Sequence, residues 1–269
     1  MCSAPRQPHE DPGPTDAAHD EGNRPADAPQ DGSPRQAEAP HDESPRQADA
    51  AHDRRLPPAL LALTATTGLV DAVSYLGLGH VFTANMTGNV VLLGFGLANA
   101  GGLPVVAPLV SLGAFLLGAG AGGRIAVRLS ARRSRHLGVA LGIEAGLLGC
   151  SAVLAALASV GIASPAAYAI IAIVAFAMGV RNATVRRLAV PDLTTTVLTL
   201  TLTGLAADSR PAGGGSHNSR RRSGAVAAML LGALVGAVLE KQSLTLPLAV
   251  AVAVVVWTLV VVVRAPPRS

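Results

Sequence analysis

The sequence predicts an all-α polytopic membrane protein: six transmembrane helices and two short re-entrant segments, arranged as an inverted 3+3 repeat. Three observations predict it. Eight apolar runs follow one another after residue 57. The basic residues sort to one face of a membrane only if two of those runs turn back. The second half of the chain also repeats the order of the first.

Composition supports a membrane class. Of 269 residues, 50% are hydrophobic and 14% charged, against about 25% charged in a soluble domain. Residues 1–53 hold 12 of the 17 acidic residues and 4 of the 21 basic ones, a balance of −8, so residues 54–269 carry +12 of the net +4. The first part reads as a disordered acidic tail, rich in Pro, Ala, Asp and Gln, with almost nothing to bury. It repeats itself, "SPRQAEAPHDE" at 33–43 being followed by "SPRQADAAHD" at 44–53, the mark of duplicated low-complexity sequence. His9, His19, His41 and His52 recur there beside acids, but no metal site or cofactor is assigned. Cys2 and Cys150 form neither a disulfide framework nor a zinc pattern. No secretory or lipoprotein signal is expected, because no apolar region accompanies Met1-Cys2.

The integral membrane domain is 54–269. Its apolar runs lie at 58–79, 86–100, 104–123, 137–160, 165–180, 193–207, 224–239 and 245–263. A spanning helix needs about 20 apolar residues, and six runs reach or approach that. Two are short and polar: 86–100, and 193–207, which has six threonines in fifteen residues. If all eight cross, the Arg and Lys residues divide eight to nine between the faces. If those two enter and return, sixteen fall on one face and only Lys241 on the other. Cytoplasmic loops collect basic residues, so the second arrangement is preferred. It makes a multi-pass protein of the inner (plasma) membrane with both termini cytoplasmic.

Repeat one is 58–160 and repeat two 165–263. Shifted by 111, "GLVDA" at 68–72 lies over "GVRNA" at 179–183, and "VFTAN" at 81–85 over "DLTTT" at 192–196. "LGAFLLGA" at 112–119 resembles "LGALVGA" at 231–237 at a larger offset. Three crossings per half bring the second half in from the opposite side, a recurrent plan of transporters and channels.

The stretch "HVFTANMTGN" at 80–89 sits between apolar runs yet holds Asn85, Asn89, Thr83 and Thr87. Irregular backbone at membrane depth persists only where protein buries it or a wet cavity adjoins it. The stretch is expected to be the turn and first helical residues of a re-entrant segment, with 191–196, "PDLTTT", as its partner. Asp71, deep in the first span, costs about 2.5–3.5 kcal/mol on insertion scales, so it needs a partner, a proton or water. Arg181, next to its repeat mate Asn182, offers the partner; protonation is the alternative. Glu144 is the second embedded acid. Asp192 after Pro191 reads as a helix cap.

Other motifs are set aside. "GAGAGG" at 118–123 satisfies G-x-G-x-x-G but follows no strand. The pairs Gly118/Gly122, Gly142/Gly146 and Gly232/Gly236 allow close helix approach, most simply within the chain. The basic run 124–136 reads as a topogenic signal rather than a lipid site.

At "TTGLVDAVSYLGLGHVFTANMTGNVVLLGFGLA" and "VRNATVRRLAVPDLTTTVLTLTLTGLAAD" the chain resembles the YoaK-like family of bacterial integral membrane proteins, which carry a domain of unknown function. The resemblance covers about residues 58–263. It implies a multi-span membrane protein with no established activity.

The function expected is a transporter or channel-like permease for a small polar solute. Its solute-path or coupling residues would be Asp71, Asn85, Thr87, Asn89, Glu144, Arg181, Asn182, Asp192, Thr195 and Thr196. A transporter should gather Asp71, Asn85 and Asn89 around one cavity; a non-transporting scaffold or regulatory protein should scatter them. No nucleophile–base pair points to an enzyme. The implied partners are membrane lipid and a small polar solute or ion, with a homo-oligomer left open and no nucleic acid.

Overall fold

The computed structural model describes residues 44–129, 133–188, 198–207 and 219–263. The expected acidic tail therefore lies outside it as far as residue 43, and so do Asp192, Thr195 and Thr196. The chain is all-helical in the described residues: α1 Ser44–Gly77, α2 Met86–Leu97, α3 Val106–Arg128, α4 Arg133–Leu157, α5 Pro165–Leu188, α6 Leu198–Ala207, α7 Ser219–Glu240 and α8 Thr245–Val263. Six contain stretches long and apolar enough to cross a membrane: Pro58–Gly77, Val106–Arg128, Arg135–Leu157, Pro165–Arg187, Ser219–Glu240 and Thr245–Val263. The protein is an all-α polytopic membrane protein, as the apolar runs predict.

The two remaining helices have 12 and 10 described residues. At 1.5 Å per residue they measure about 18 and 15 Å, half the hydrocarbon thickness of about 30 Å.

Helix starts follow local chemistry. Ser164 caps α5, its Oγ accepting from the Ala167 N–H at 3.1 Å, and Pro165 takes the first helical position, where no N–H is required. Ser243 does the same for α8, accepting from the Leu246 N–H at 3.3 Å. Hydroxyls inside the spans turn back on their own helix: Thr64, Thr67, Thr184 and Thr258 each donate to the carbonyl four residues earlier. A span can thus hold threonine without an unpaired donor.

α1 and α5 are the central helices. Buried residues make up 67% and 56% of their apolar windows, against 17–33% in the other four spans. α1 packs on α7 and α8, α5 on α3 and α4, α4 on α8, α2 on α3 and α6 on α7. Exchanging α1–α4 for α5–α8 reproduces this set of contacts. The close approaches match residue by residue. A Cβ on Gly68 would collide with the Met229 carbonyl, and one on Gly179 with the Phe115 carbonyl. A Cβ on Gly232 would strike the Ala65 carbonyl, and one on Gly118 the Phe176 carbonyl. Gly236 faces Leu69 and Ala72 as Gly122 faces Val180 and Ala183. The offset in α1 and α5 is the expected 111. In α3 and α7 it is 114, with Gly118 equivalent to Gly232, so the register suggested by aligning "LGAFLLGA" with "LGALVGA" is not the one that packs. Backbone contact selects the glycine pairs, whereas letter similarity aligns leucines that face outward: Leu116, Leu117, Leu231 and Leu234 are all exposed. The third pair, Gly142 and Gly146, meets nothing within 4 Å, so that motif does not pack within the described chain.

Candidate functional site

The turn after α1 requires unusual backbone. Gly79 has φ +113° and His80 φ +58°, and the His80 N–H returns to the Tyr75 carbonyl at 3.0 Å. Tyr75 stacks on Phe82 with ring centroids 5.0 Å apart and meets the His80 ring edge-on at 5.2 Å. These rings fold residues 78–82 back along α1.

The descending chain then meets Asp71. Its Oδ1 accepts from the Thr83 N–H at 2.9 Å and from the Ala84 N–H at 2.7 Å. Asp71 lies six residues before the end of α1, about 9 Å of rise, so Thr83 and Ala84 stand at a depth inside the first span. Asn89 secures the next point. Its Oδ1 accepts from the Phe82 N–H at 2.9 Å, and its Nδ2 donates to the Phe82 carbonyl at 2.6 Å and to Ser111 Oγ at 3.1 Å. Ser111 Oγ also donates to the Phe82 carbonyl at 2.6 Å. Irregular backbone at this depth thereby finds partners in protein, as an apolar setting demands. α2 begins at Met86, and Gly96 near its end lies against Leu103, Pro104 and Val105, at the start of α3.

A cavity of about 330 Å³ opens where α2 begins. Its polar lining is Thr67 from α1, Asn85 and Thr87 from the α2 entry, and Thr199 from α6. Ala84, Gly88, Val91, Leu198, Leu202 and Met229 complete it. Among the described residues, no lining residue is charged. Thr67 lies midway along Pro58–Gly77, so the cavity sits at mid-span. Its volume lies at the low end of the range of small-molecule pockets, about 300–1,000 Å³.

Behind Thr67 is an ion pair. Arg181 Nη1 donates to Glu144 Oε1 at 2.9 Å, and Nη2 donates to Thr67 Oγ1 at 2.6 Å. The pair joins α4, α5 and α1 and is buried, with side chains 2% and 0% exposed. Below it, buried His136 on α4 approaches Thr184 Oγ1 on α5 at 3.4 Å.

Of the expected residues, Asn85 and Thr87 line the cavity. Asn89 does not: its amide is spent on Phe82 and Ser111, and the residue is fully buried. Asp71 stands behind the wall, holding Ala84, and is not itself in the lining. Arg181 does not pair with Asp71, although its charge is within electrostatic reach of it; Glu144 is the nearer acid and takes the guanidinium. Asn182 is half-buried on α5. The gathering of Asp71, Asn85 and Asn89 is therefore partial: the three share one structure, but only Asn85 faces the cavity. The sequence reading missed Thr67, Thr199 and Ser111. The run Thr64, Thr66, Thr67 inside an otherwise apolar span was the available signal for the first; Ser111 offered none.

Comparison with known proteins agrees with the fold. A family described as "Protein of unknown function (DUF1275)" matches residues 59–263. The UPF0700 transmembrane protein YoaK of Bacillus subtilis (strain 168) is 36% identical over 155 residues, which is 56% of this chain and 64% of that protein. The matched region thus spans less than two thirds of that relative's length. No solved structure matches.

Proposed function

The chain belongs to the DUF1275 family of proteins of unknown function, and on that premise we propose that it is a permease for a small polar solute. The single observation that carries this reading is the mid-span cavity between the two short helices, lined by Thr67, Asn85, Thr87 and Thr199. Small polar solutes need hydrogen-bonding groups to replace water at that depth, and few other uses justify hydroxyls and an amide facing a cavity there. The lining of the described residues, which is uncharged, favours a neutral solute or a weakly held ion.

In this reading α2 and α6 are re-entrant, one from each face, and the halves form an inverted repeat. The lengths of the two helices, the return of α2 to the start of α3, and the matched contacts of α1–α4 and α5–α8 support it. Both termini and the segments 129–132 and 208–218 then lie on the cytoplasmic side of the inner membrane. The protein acts as a transporter and not as an enzyme.

The test is a proteoliposome uptake screen across small polar solutes, comparing wild type with Asn85→Leu and Thr87→Val. A solute carried by wild type and lost in both variants supports the cavity as its path. A solute carried equally by all three would remove the cavity from the path, and a protein whose partners bind unchanged in every variant would favour the scaffold reading.

A further inference from the structure

Among the described residues, the interior holds the acids Asp71 and Glu144, the base Arg181 and, beside Thr184, His136. Asp71, Glu144 and Arg181 are 5%, 0% and 2% exposed. Arg181 is committed to Glu144 and Thr67. Asp71 Oδ2 and Glu144 Oε2 are buried without a hydrogen-bond partner, as is Arg181 Nε.

Among the described residues, no other charge is paired with them. α2 and α8 contain no ionisable side chain. α7 carries Arg220, Arg221 and Arg222 in its first turn and Glu240 at its last residue, beside Gly77. α3 has Arg124 and Arg128 near its end. Arg186 and Arg187 on α5 are exposed at its end, His136 faces Thr184, and His80 faces the Tyr75 ring. Fully ionised, the cluster would hold one uncompensated negative charge at membrane depth, among the most expensive states a span can contain. Among the described residues, no three His, Cys, Asp or Glu side chains gather to hold a metal ion. One proton taken from water brings the cluster to neutrality.

The geometry also says where that proton goes. Glu144 is in direct contact with the guanidinium, which stabilises its carboxylate. Asp71 has no such contact. Its Oδ1 accepts from Thr83 and Ala84 whether or not the group is protonated. An O–H formed at Oδ2 therefore disturbs no hydrogen bond already made.

We propose that the buried Asp71–Arg181–Glu144 cluster is a proton-binding site, with one proton held on Oδ2 of Asp71 at neutral pH. One consequence rests on the permease reading: the proton is the coupling ion. Asp71 grips Ala84, and Ala84 and Asn85 line the cavity, so a change of charge at Asp71 is felt at the cavity wall.

Infrared spectroscopy of the full-length protein in lipid at neutral pH tests the site without knowledge of the solute. Wild type should show a protonated-carboxyl C=O band. The band should shift when aspartate is labelled with carbon-13 at its side-chain carboxyl, and stay when glutamate is so labelled. Asp71→Asn should lose it, and Glu144→Gln should keep it. Isotope labelling makes the assignment even where a variant fails to fold. Absence of the band in wild type, its shift with labelled glutamate, or its survival in folded Asp71→Asn would overturn the proposal. A failed uptake screen would leave the band unaffected, so the two readings fail separately.

Discussion

Arg181 Nη1 stands 2.9 Å from Glu144 Oε1, joining α5 to α4 through an ion pair that solvent barely reaches. Removing one member of such a pair leaves the other charged and unpartnered, at a cost of about 3–5 kcal/mol. Arg181→Met alone and Glu144→Leu alone should each lower unfolding stability in detergent by that order. The double variant should recover most of the loss. Equal losses in all three proteins, measured by thermal or denaturant unfolding, would show that the pair contributes little beyond shape.

Asp71 holds the backbone of the chain that leads into α2. Asp71→Asn keeps an acceptor at Oδ1 and should preserve the fold. Asp71→Ala orphans the Thr83 and Ala84 N–H groups, and each buried orphan costs about 1–3 kcal/mol. The ordering wild type ≈ Asn > Ala in thermal stability is the expected result; an Ala variant as stable as wild type would mean the turn does not depend on this carboxylate.

Asn85 and Asn89 lie four residues apart and should behave differently. Asn85→Leu alters an exposed wall residue and should leave stability within about 0.5 kcal/mol while blocking solute passage. Asn89→Leu strips Phe82 and Ser111 of their partners and should destabilise by about 1–3 kcal/mol. Comparing unfolding midpoints of the two variants decides this before any solute is known.

Gly118 and Gly232 are equivalent positions against the Phe176 and Ala65 carbonyls. Alanine at either forces two helices apart and should cost about 1–3 kcal/mol. Gly113 faces open space, so Gly113→Ala should be neutral. Detergent stability of the three variants checks both the close packing and its twofold character; a loss at only one of the two equivalent sites would break the proposed repeat.

The proposed topology predicts thiol labelling. With Cys2 and Cys150 replaced by serine, Ser134→Cys and Ser216→Cys should resist a membrane-impermeant reagent added to intact cells, while Gln242→Cys, beside Lys241, should react. Labelling at Ser134 or Ser216 from outside would defeat the arrangement.

The sequence by itself determined the class and the spans. Hydropathy is a property of consecutive residues, so the six long helices and the two short ones can be counted without coordinates. The internal likeness of 68–72 to 179–183 is equally local, as is the cost of Asp71 and Glu144 in apolar runs. Tertiary structure alone decided the partners. Arg181 is near both acids, and which it pairs with depends on how α4 and α5 face each other. The close glycine contacts decide how α1 meets α7 and α3 meets α5, in a register, 114 residues apart in α3 and α7, that the letters misalign. Asn85 and Asn89 look alike in sequence, but the entry angle of α2 turns one to the cavity and the other onto Phe82. Thr67 gains its role only because α1 lies between the cavity and the ion pair. A hydrogen bond needs atoms about 3 Å apart in a fixed direction, and residues distant in sequence meet that condition only once the helices have packed.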